Sequence, residues 1–234
     1  HWMLFQDWAP AHDLGPDGHP RRGGFLPPVH DLPRRMWAGS RISLHRDLRA
    51  GERISRTSTI LSVEEKAGGS GRLLFVTVRH DMAGEGDTGP AIVEEQNIVY
   101  RDNEGAAVKP AEPAPPAPAG AWTRTVQPDP VLLFRYSTLT ANGHRIHYDL
   151  DYVTREEGYP GLVVHGPLQA TWLADLLRRN RPGARIARIS FRGRRPAFHQ
   201  NPLMLVGYEQ GGNIRLETRD HEGAVCMAAG RGTK

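Results

Sequence analysis

Apolar and polar residues alternate in Arg41-Ile-Ser-Leu-His-Arg46, the period of a strand with one buried face. Asp47–Glu52 reads as a turn, and 53–63, rich in Thr, Ser and Ile, as a second strand. Gly68-Gly-Ser-Gly71 is a hairpin turn between that strand and Leu73–His80, and another strand follows over Ala91–Tyr100. The first half is thus an antiparallel meander with hardly any helical period. Before it, residues 1–35 are irregular. Asp13-Leu-Gly-Pro-Asp-Gly-His-Pro20 is a string of turn signals, and Gly23-Gly-Phe-Leu-Pro-Pro28 continues it.

The Pro-rich stretch Lys109–Gly120 favours an extended spacer and divides the chain into units 1–108 and 121–234. In the second unit, Val131–Phe134 reads as an apolar strand. Leu168, Thr171, Trp172, Asp175, Leu176 and Arg179 recur at helical spacing, with Gly166 at the expected N-cap and Pro167 at the first helical position. Arg178 and Arg179 suit the last turn, and Pro182-Gly183 ends it. Strands are predicted at 185–192, 203–208, 213–220 and 224–229. The halves rhyme: Ile42-Ser-Leu-His-Arg lies over Ile189-Ser-Phe-Arg-Gly, with three strands after each. The expected fold is α+β: a double hotdog, an antiparallel sheet wrapped around a central helix. The helix is reduced or missing in the N-terminal unit, and the 25–36 arm takes its place.

Composition narrows the chemistry. The single cysteine, Cys226, excludes an intrachain disulfide and a cysteine-set zinc site, and suits a reducing, cytoplasmic setting. No apolar run approaches the ~18 residues of a membrane helix. The start, His1-Trp-Met-Leu-Phe-Gln-Asp, does not read as a secretion signal and has no initiator Met, so it is expected to begin inside a longer chain. Net charge is +4, but the basic residues are scattered and aromatics few, which argues against nucleic-acid binding.

Two clusters carry candidate chemistry. Tyr136–Asp149 places Asn142-Gly143, His144, Arg145, His147, Tyr148 and Asp149 beside the expected strand. It reads equally as a hydrogen-bonded loop, and less well as a metal site, because no Cys or Glu completes a ligand set around His144 and His147. The spacing of a nucleophile elbow, a P-loop and a dinucleotide fingerprint are all absent. Tyr159-Pro-Gly-Leu-Val-Val-His165-Gly166-Pro167 is an ordinary helix cap or, beside the first cluster, an oxyanion hole.

Asn142-Gly-His-Arg-Ile-His147-Tyr-Asp149 followed by Gly161–Gly166 resembles the MaoC-like dehydratase and type 2 enoyl-CoA hydratase family, whose motif runs Gly-Asp-x-Asn-Pro-x-His. Phe25-Leu-Pro-Pro and Pro33–Gly39 resemble its branch containing itaconyl-CoA and 3-methylfumaryl-CoA (mesaconyl-CoA) hydratases, and the 3-hydroxyacyl-thioester dehydratases. The resemblance covers nearly the whole chain after residue 20. It implies a hydro-lyase adding water to itaconyl- or mesaconyl-CoA to give citramalyl-CoA. The alternatives are a fatty 3-hydroxyacyl-thioester dehydratase and a non-catalytic acyl-CoA-binding hotdog protein. His147 falls on the catalytic histidine and Gly166 on the backbone donor to the thioester oxygen. The family's aspartate falls on Asn142, its asparagine on His144 and its proline on Arg145. Asn142 cannot take a proton at neutral pH and can only orient water. Asp149 is the expected substitute, on the same side as His147 if the segment is extended. Arg145 is the expected clamp for a substrate carboxylate, with His144, Tyr148 and His165 lining the substrate site. Arg34, Arg35, Arg192 and Arg194 are candidates for the CoA phosphates. No metal or cofactor beyond substrate CoA is implied, and a homodimer is expected.

Overall fold

The computed structural model describes residues 1–68, 71–102 and 112–230. The centre of the 68–71 turn and the start of the Pro-rich stretch lie outside them. The first unit consists of β1 (Arg34–Leu44), β2 (Ile54–Gly68), β3 (Gly71–Gly84) and β4 (Ile92–Arg101). The second begins with β5 (Trp122–Val126), α1 (Pro130–Leu139), α2 (Leu150–Arg155) and α3 (Gly166–Asn180). It ends with β6 (Arg188–Gly193), β7 (Leu203–Gln210), β8 (Asn213–Arg219) and β9 (Val225–Gly230).

All nine strands form one antiparallel sheet in the order β2-β3-β4-β1-β6-β9-β8-β7-β5. Outward from the β1–β6 seam, one side runs first, fourth, third and second strand of its meander, and the other side repeats that order before β5. The two stretches that rhyme in sequence meet there, with Ile42 opposite Ile189. Their antiparallel pairing relates the two units by a pseudo-two-fold rotation.

The long helix α3 packs on the second unit's part of the sheet, over β5, β7, β8 and β9, and reaches β1 at the seam. Ala170, Leu173, Leu176 and Leu177 pack against Ile42, Ile189, Phe191, Leu205, Leu216 and Met227. In the first unit no helix covers the sheet among the described residues. Leu26, Val29 and Leu32 of the arm take that place, over Leu74, Val76, Val78, Ile98 and Tyr100. A chain without helical period thus still buries one face of its sheet, through scattered apolar residues of an irregular segment.

Two local expectations are corrected. Val131–Phe134 is not a strand but the first turn of α1, because Asp129 caps the helix through the Leu132 N–H and Pro130 sits in the first turn. A four-residue apolar run fits either period, and here the cap decides. The segment around Asp149 is not extended: Arg145–His147 is a 3₁₀ turn and Asp149 caps α2 through the Tyr152 N–H. The start of α3 is one residue earlier than expected, with His165 at the cap and Gly166 inside, within the ordinary fraying of helix ends.

Candidate active site

The polar loop after α1 is built from short-range bonds. Ala141 takes a left-handed φ of 50°, the Asn142 N–H donates to the Ser137 carbonyl, and the Asn142 side chain accepts from the His144 N–H at 3.1 Å. The 3₁₀ turn then carries His147 inward, where it is 7% exposed. Its Nδ1 lies 2.7 Å from the Val163 carbonyl. A carbonyl only accepts, so Nδ1 carries the proton and Nε2 of the neutral ring is left as a base. The His147 ring stacks on His165 at 3.6 Å, and His165 is held from behind by the Ser137 hydroxyl at 2.9 Å.

His147 faces a cavity of about 1430 Å³, whose wall includes His19, Trp37, Asn142, His144 and Gly166. Gly166 opens α3, where backbone N–H groups have no acceptor within the helix. A methyl group there would meet the Trp37 ring at 2.4 Å, so only glycine allows this approach. Trp37 is itself fixed: its indole donates to Ser40 Oγ at 3.0 Å, and Ser40 donates to the buried Glu94 at 2.5 Å.

The structure brings His147, Asn142, His144 and Gly166 together on one wall. Arg145, Asp149, Tyr148 and His165 are not among the cavity-lining residues. The Arg145 guanidinium is committed to Asp149 at 2.8 and 3.0 Å and to the Pro16 carbonyl at 2.9 Å, over the Tyr152 ring. Asp149 is spent on Arg145 and on capping α2, which removes the premise that brought it to His147. Tyr148 is 41% exposed and donates to the Gly143 carbonyl. His165 is buried behind His147 and supports its ring. Cys226 is buried, and desolvation pushes its thiol up to about 12, so it is an inert packing residue.

Sequence reading missed what the arm contributes. Gly15–Pro20 is a tight loop latched onto the site: the Arg145 N–H donates to the Asp17 carbonyl, and Gly18 packs against Gly143 with no room for a side chain on either. This places His19 in the cavity wall, 4.2 Å from the His144 ring, with Nδ1 3.1 Å from Asp17 Oδ2. The signal was present as the triplet Asp17-Gly-His19, a near copy of Asn142-Gly-His144, but nothing local says that the two turns meet. Asp17, His19 and His144 offer ligand-type atoms within 4.8 Å of one another. Because one His19 nitrogen is already bonded to Asp17, the group reads better as a hydrogen-bonded acid–base pair than as an open ligand set.

Four imidazoles, His19, His144, His147 and His165, therefore stand in a row. Burial is the main force on each and keeps it neutral. His147 is pushed down to about 4, against the Val163 bond, and His144 to about 2, helped by the neighbouring rings. His165 lies well below its ordinary value, and His19 is lowered despite its bond to Asp17. In the unfolded chain these rings take up protons near 6.5; in the fold they do not. Stability is therefore fully present above pH 6.5 and is lost as pH falls through that value toward 4, with His147 alone contributing about 3 kcal/mol over the window. A Tm that is level above neutrality and falls steadily from pH 6 to pH 4.5 is the expected outcome of a thermal melt series. A Tm unchanged over that range would contradict neutral burial.

Comparison with known proteins agrees with this fold. A MaoC-like dehydratase from Phytophthora capsici superposes with a TM-score of 0.66 over 90% of this chain and 76% of its own, at 18% identity. A Mycobacterium tuberculosis protein described as a double hotdog gives 0.56 over 86% and 74%, at 12% identity. The molecule is thus a double-hotdog protein of the MaoC-like type. It belongs to the hydroxyacyl-thioester dehydratase type 2 family, whose profile matches residues 1–199, and is an enzyme of the hydro-lyase class. Mesaconyl-C(4)-CoA hydratase of Chloroflexus aurantiacus is 46% identical over 236 residues, covering 98% of this chain and 80% of its own.

Proposed function

We propose that the enzyme adds water reversibly across the double bond of a branched dicarboxylic enoyl-CoA, of which mesaconyl-CoA is the favoured member and itaconyl-CoA the next, giving citramalyl-CoA. The observation that carries this reading is His147, a neutral base with its proton fixed on Nδ1, lining one cavity with the start of α3. On mesaconyl-CoA, whose double bond is conjugated with the thioester, Nε2 takes a proton from water as the oxygen bonds to Cβ. The π electrons move toward the thioester, and the Gly166 N–H holds the enolate oxygen. Asn142 orients the water. A proton then reaches Cα.

The substrate class rests on a different arginine from the one expected. In mesaconyl-CoA with its thioester distant from the methyl group, the free carboxylate sits on the carbon that water attacks. Its counter-charge must therefore lie close to the base. Arg35 of β1 lines the cavity and acts electrostatically on both His19 and His144. It has no hydrogen-bond or ion-pair partner among the described residues. Arg34, on the opposite face of the strand, is paired with Glu157. Arg195 is paired with Asp220, whereas Arg194 is exposed on the cavity wall and suits the CoA phosphates.

Incubation with crotonyl-, itaconyl- and mesaconyl-CoA, read by mass spectrometry, tests the activity. Gain of one water on the dicarboxylic substrates is expected. Reaction with crotonyl-CoA alone would favour the fatty 3-hydroxyacyl-thioester reading that the family description suggests. No reaction on any would leave a binding protein. Arg35→Met is expected to lower kcat/KM for mesaconyl-CoA by ~10²-fold, the scale of a lost charge-assisted contact, with little effect on any residual crotonyl-CoA turnover. Equal loss on both would remove Arg35 from the carboxylate.

A further inference from the structure

Hydration needs a second proton transfer, to Cα, and the position where the resemblance expects an aspartate holds Asn142. The structure shows where a carboxylate re-enters. Asp17-Gly18-His19 and Asn142-Gly143-His144 are two copies of one sequence pattern, packed against each other, though Gly18 takes a left-handed φ of 84° and Gly143 does not. In each, the first side chain accepts the N–H of the histidine two residues on, at 3.0 Å in the arm and 3.1 Å in the loop. The glycines touch, and the rings of His19 and His144 lie 4.2 Å apart. One copy carries the amide; the other carries the acid.

We propose that His19, held by Asp17, is the second catalytic residue of this site, and that the arm is a part of the active site rather than a covering. The inference rests on the hydratase reading above. Asp17 Oδ2 fixes the proton of His19 on Nδ1 and leaves Nε2 as a base; Asp17 is a positioning residue. Burial opposes the Asp17 charge, but the hydrogen bonds from the His19 ring and backbone N–H favour it, and Asp17 lies well below the usual carboxylate range, so it is ionised. Within the row, His19 is the imidazole bonded to a carboxylate; His147 is bonded to a carbonyl and His165 to a hydroxyl. A positive charge is therefore best carried at His19. During hydration one proton leaves water for His147 as the C–O bond forms. His147 returns that proton to solvent, and His19, which takes up a proton on Nε2 from solvent, gives it to Cα, where the enolate electron pair forms the C–H bond. Both rings end neutral, and the sum is one water added. In the dehydration direction His19 removes the Cα proton, the step that most needs a carboxylate-backed base.

The groups facing His19 are Asp17, His144, Arg35 and Arg22, the two arginines opposing its protonation. Asp17 is the counterweight, which makes the pair separable from simple packing. The arm's latch, Arg145 to the Pro16 and Asp17 carbonyls, uses neither side chain, so substitutions at 17 and 19 leave it in place.

The test uses the whole chain and the acyl-CoA it turns over. His19→Gln is expected to lower kcat by ~10²-fold in both directions with KM within about threefold, the usual scale for one acid–base group. Asp17→Asn is expected to lower kcat by ~10-fold and to enlarge the isotope effect on dehydration of Cα-deuterated substrate, which loss of packing alone would not do. Added imidazole is expected to restore part of the turnover of His19→Ala. A chelator is expected to change nothing. Active wild type with His19→Gln within about threefold of it overturns the pair, as does wild-type activity lost to a chelator, which would make the cluster a metal site. Wild type inactive on every acyl-CoA instead overturns the hydratase reading, and this inference with it.

Discussion

Replacing His147 by alanine is expected to lower turnover by ~10³-fold while coenzyme A still binds, because a positioned general base contributes ~10²- to 10⁴-fold. The upper part of that range is appropriate. His147 is 7% exposed, its tautomer is set by the Val163 carbonyl and its plane by stacking on His165. A base so restrained loses little entropy on reaching the transition state. The pH profile follows with a definite sign. The ring is neutral in the fold down to about 4, so kcat is expected to be level through neutrality on the acid side and to fall only as pH approaches that value. Steady-state kinetics on mesaconyl-CoA, with isothermal titration of free CoA, separates the two effects. Turnover within tenfold of wild type would move the base elsewhere, His19 being the next candidate.

Gly166→Ala is the second large effect. Alanine is ordinarily the better helix former, by up to ~1 kcal/mol. Here the added methyl would meet Trp37 ring carbons at 2.4 and 2.5 Å. The ring cannot swing aside cheaply, because its indole is bonded to Ser40 and Ser40 to Glu94. Overpacking of this kind costs about 1–3 kcal/mol, so the clash wins over propensity. Relief by shifting the first turn of α3 displaces the N–H that faces the enolate, a donor worth ~10²- to 10³-fold. The expected result is a lower urea midpoint with kcat reduced by ~10²-fold. Gly166→Ala combined with Trp37→Leu should regain stability but little rate. Rate and stability recovering together would mean that the N–H has no special role.

The strand meander, helix α3 and the closeness of Asn142–His147 to Gly166 were all legible in the residues. Each rests on a local rule: period-two alternation, period-3.6 spacing, glycine and proline at turns, or a motif within one contiguous stretch. By contrast, the reading of Val131–Phe134 failed where two local rules competed and the Asp129 cap decided. Tertiary structure alone determined which charged groups reach the cavity. Arg145 and Asp149 are neighbours in sequence of His147, yet they satisfy each other and the arm. Arg35, Asp17 and His19 lie more than a hundred residues away and line the cavity or support a residue that does. Proximity in the chain says nothing about this, because in a sheet folded around a helix the contacts that build a site are set by register across the seam and by which buried ions find partners, and both are properties of the assembled fold.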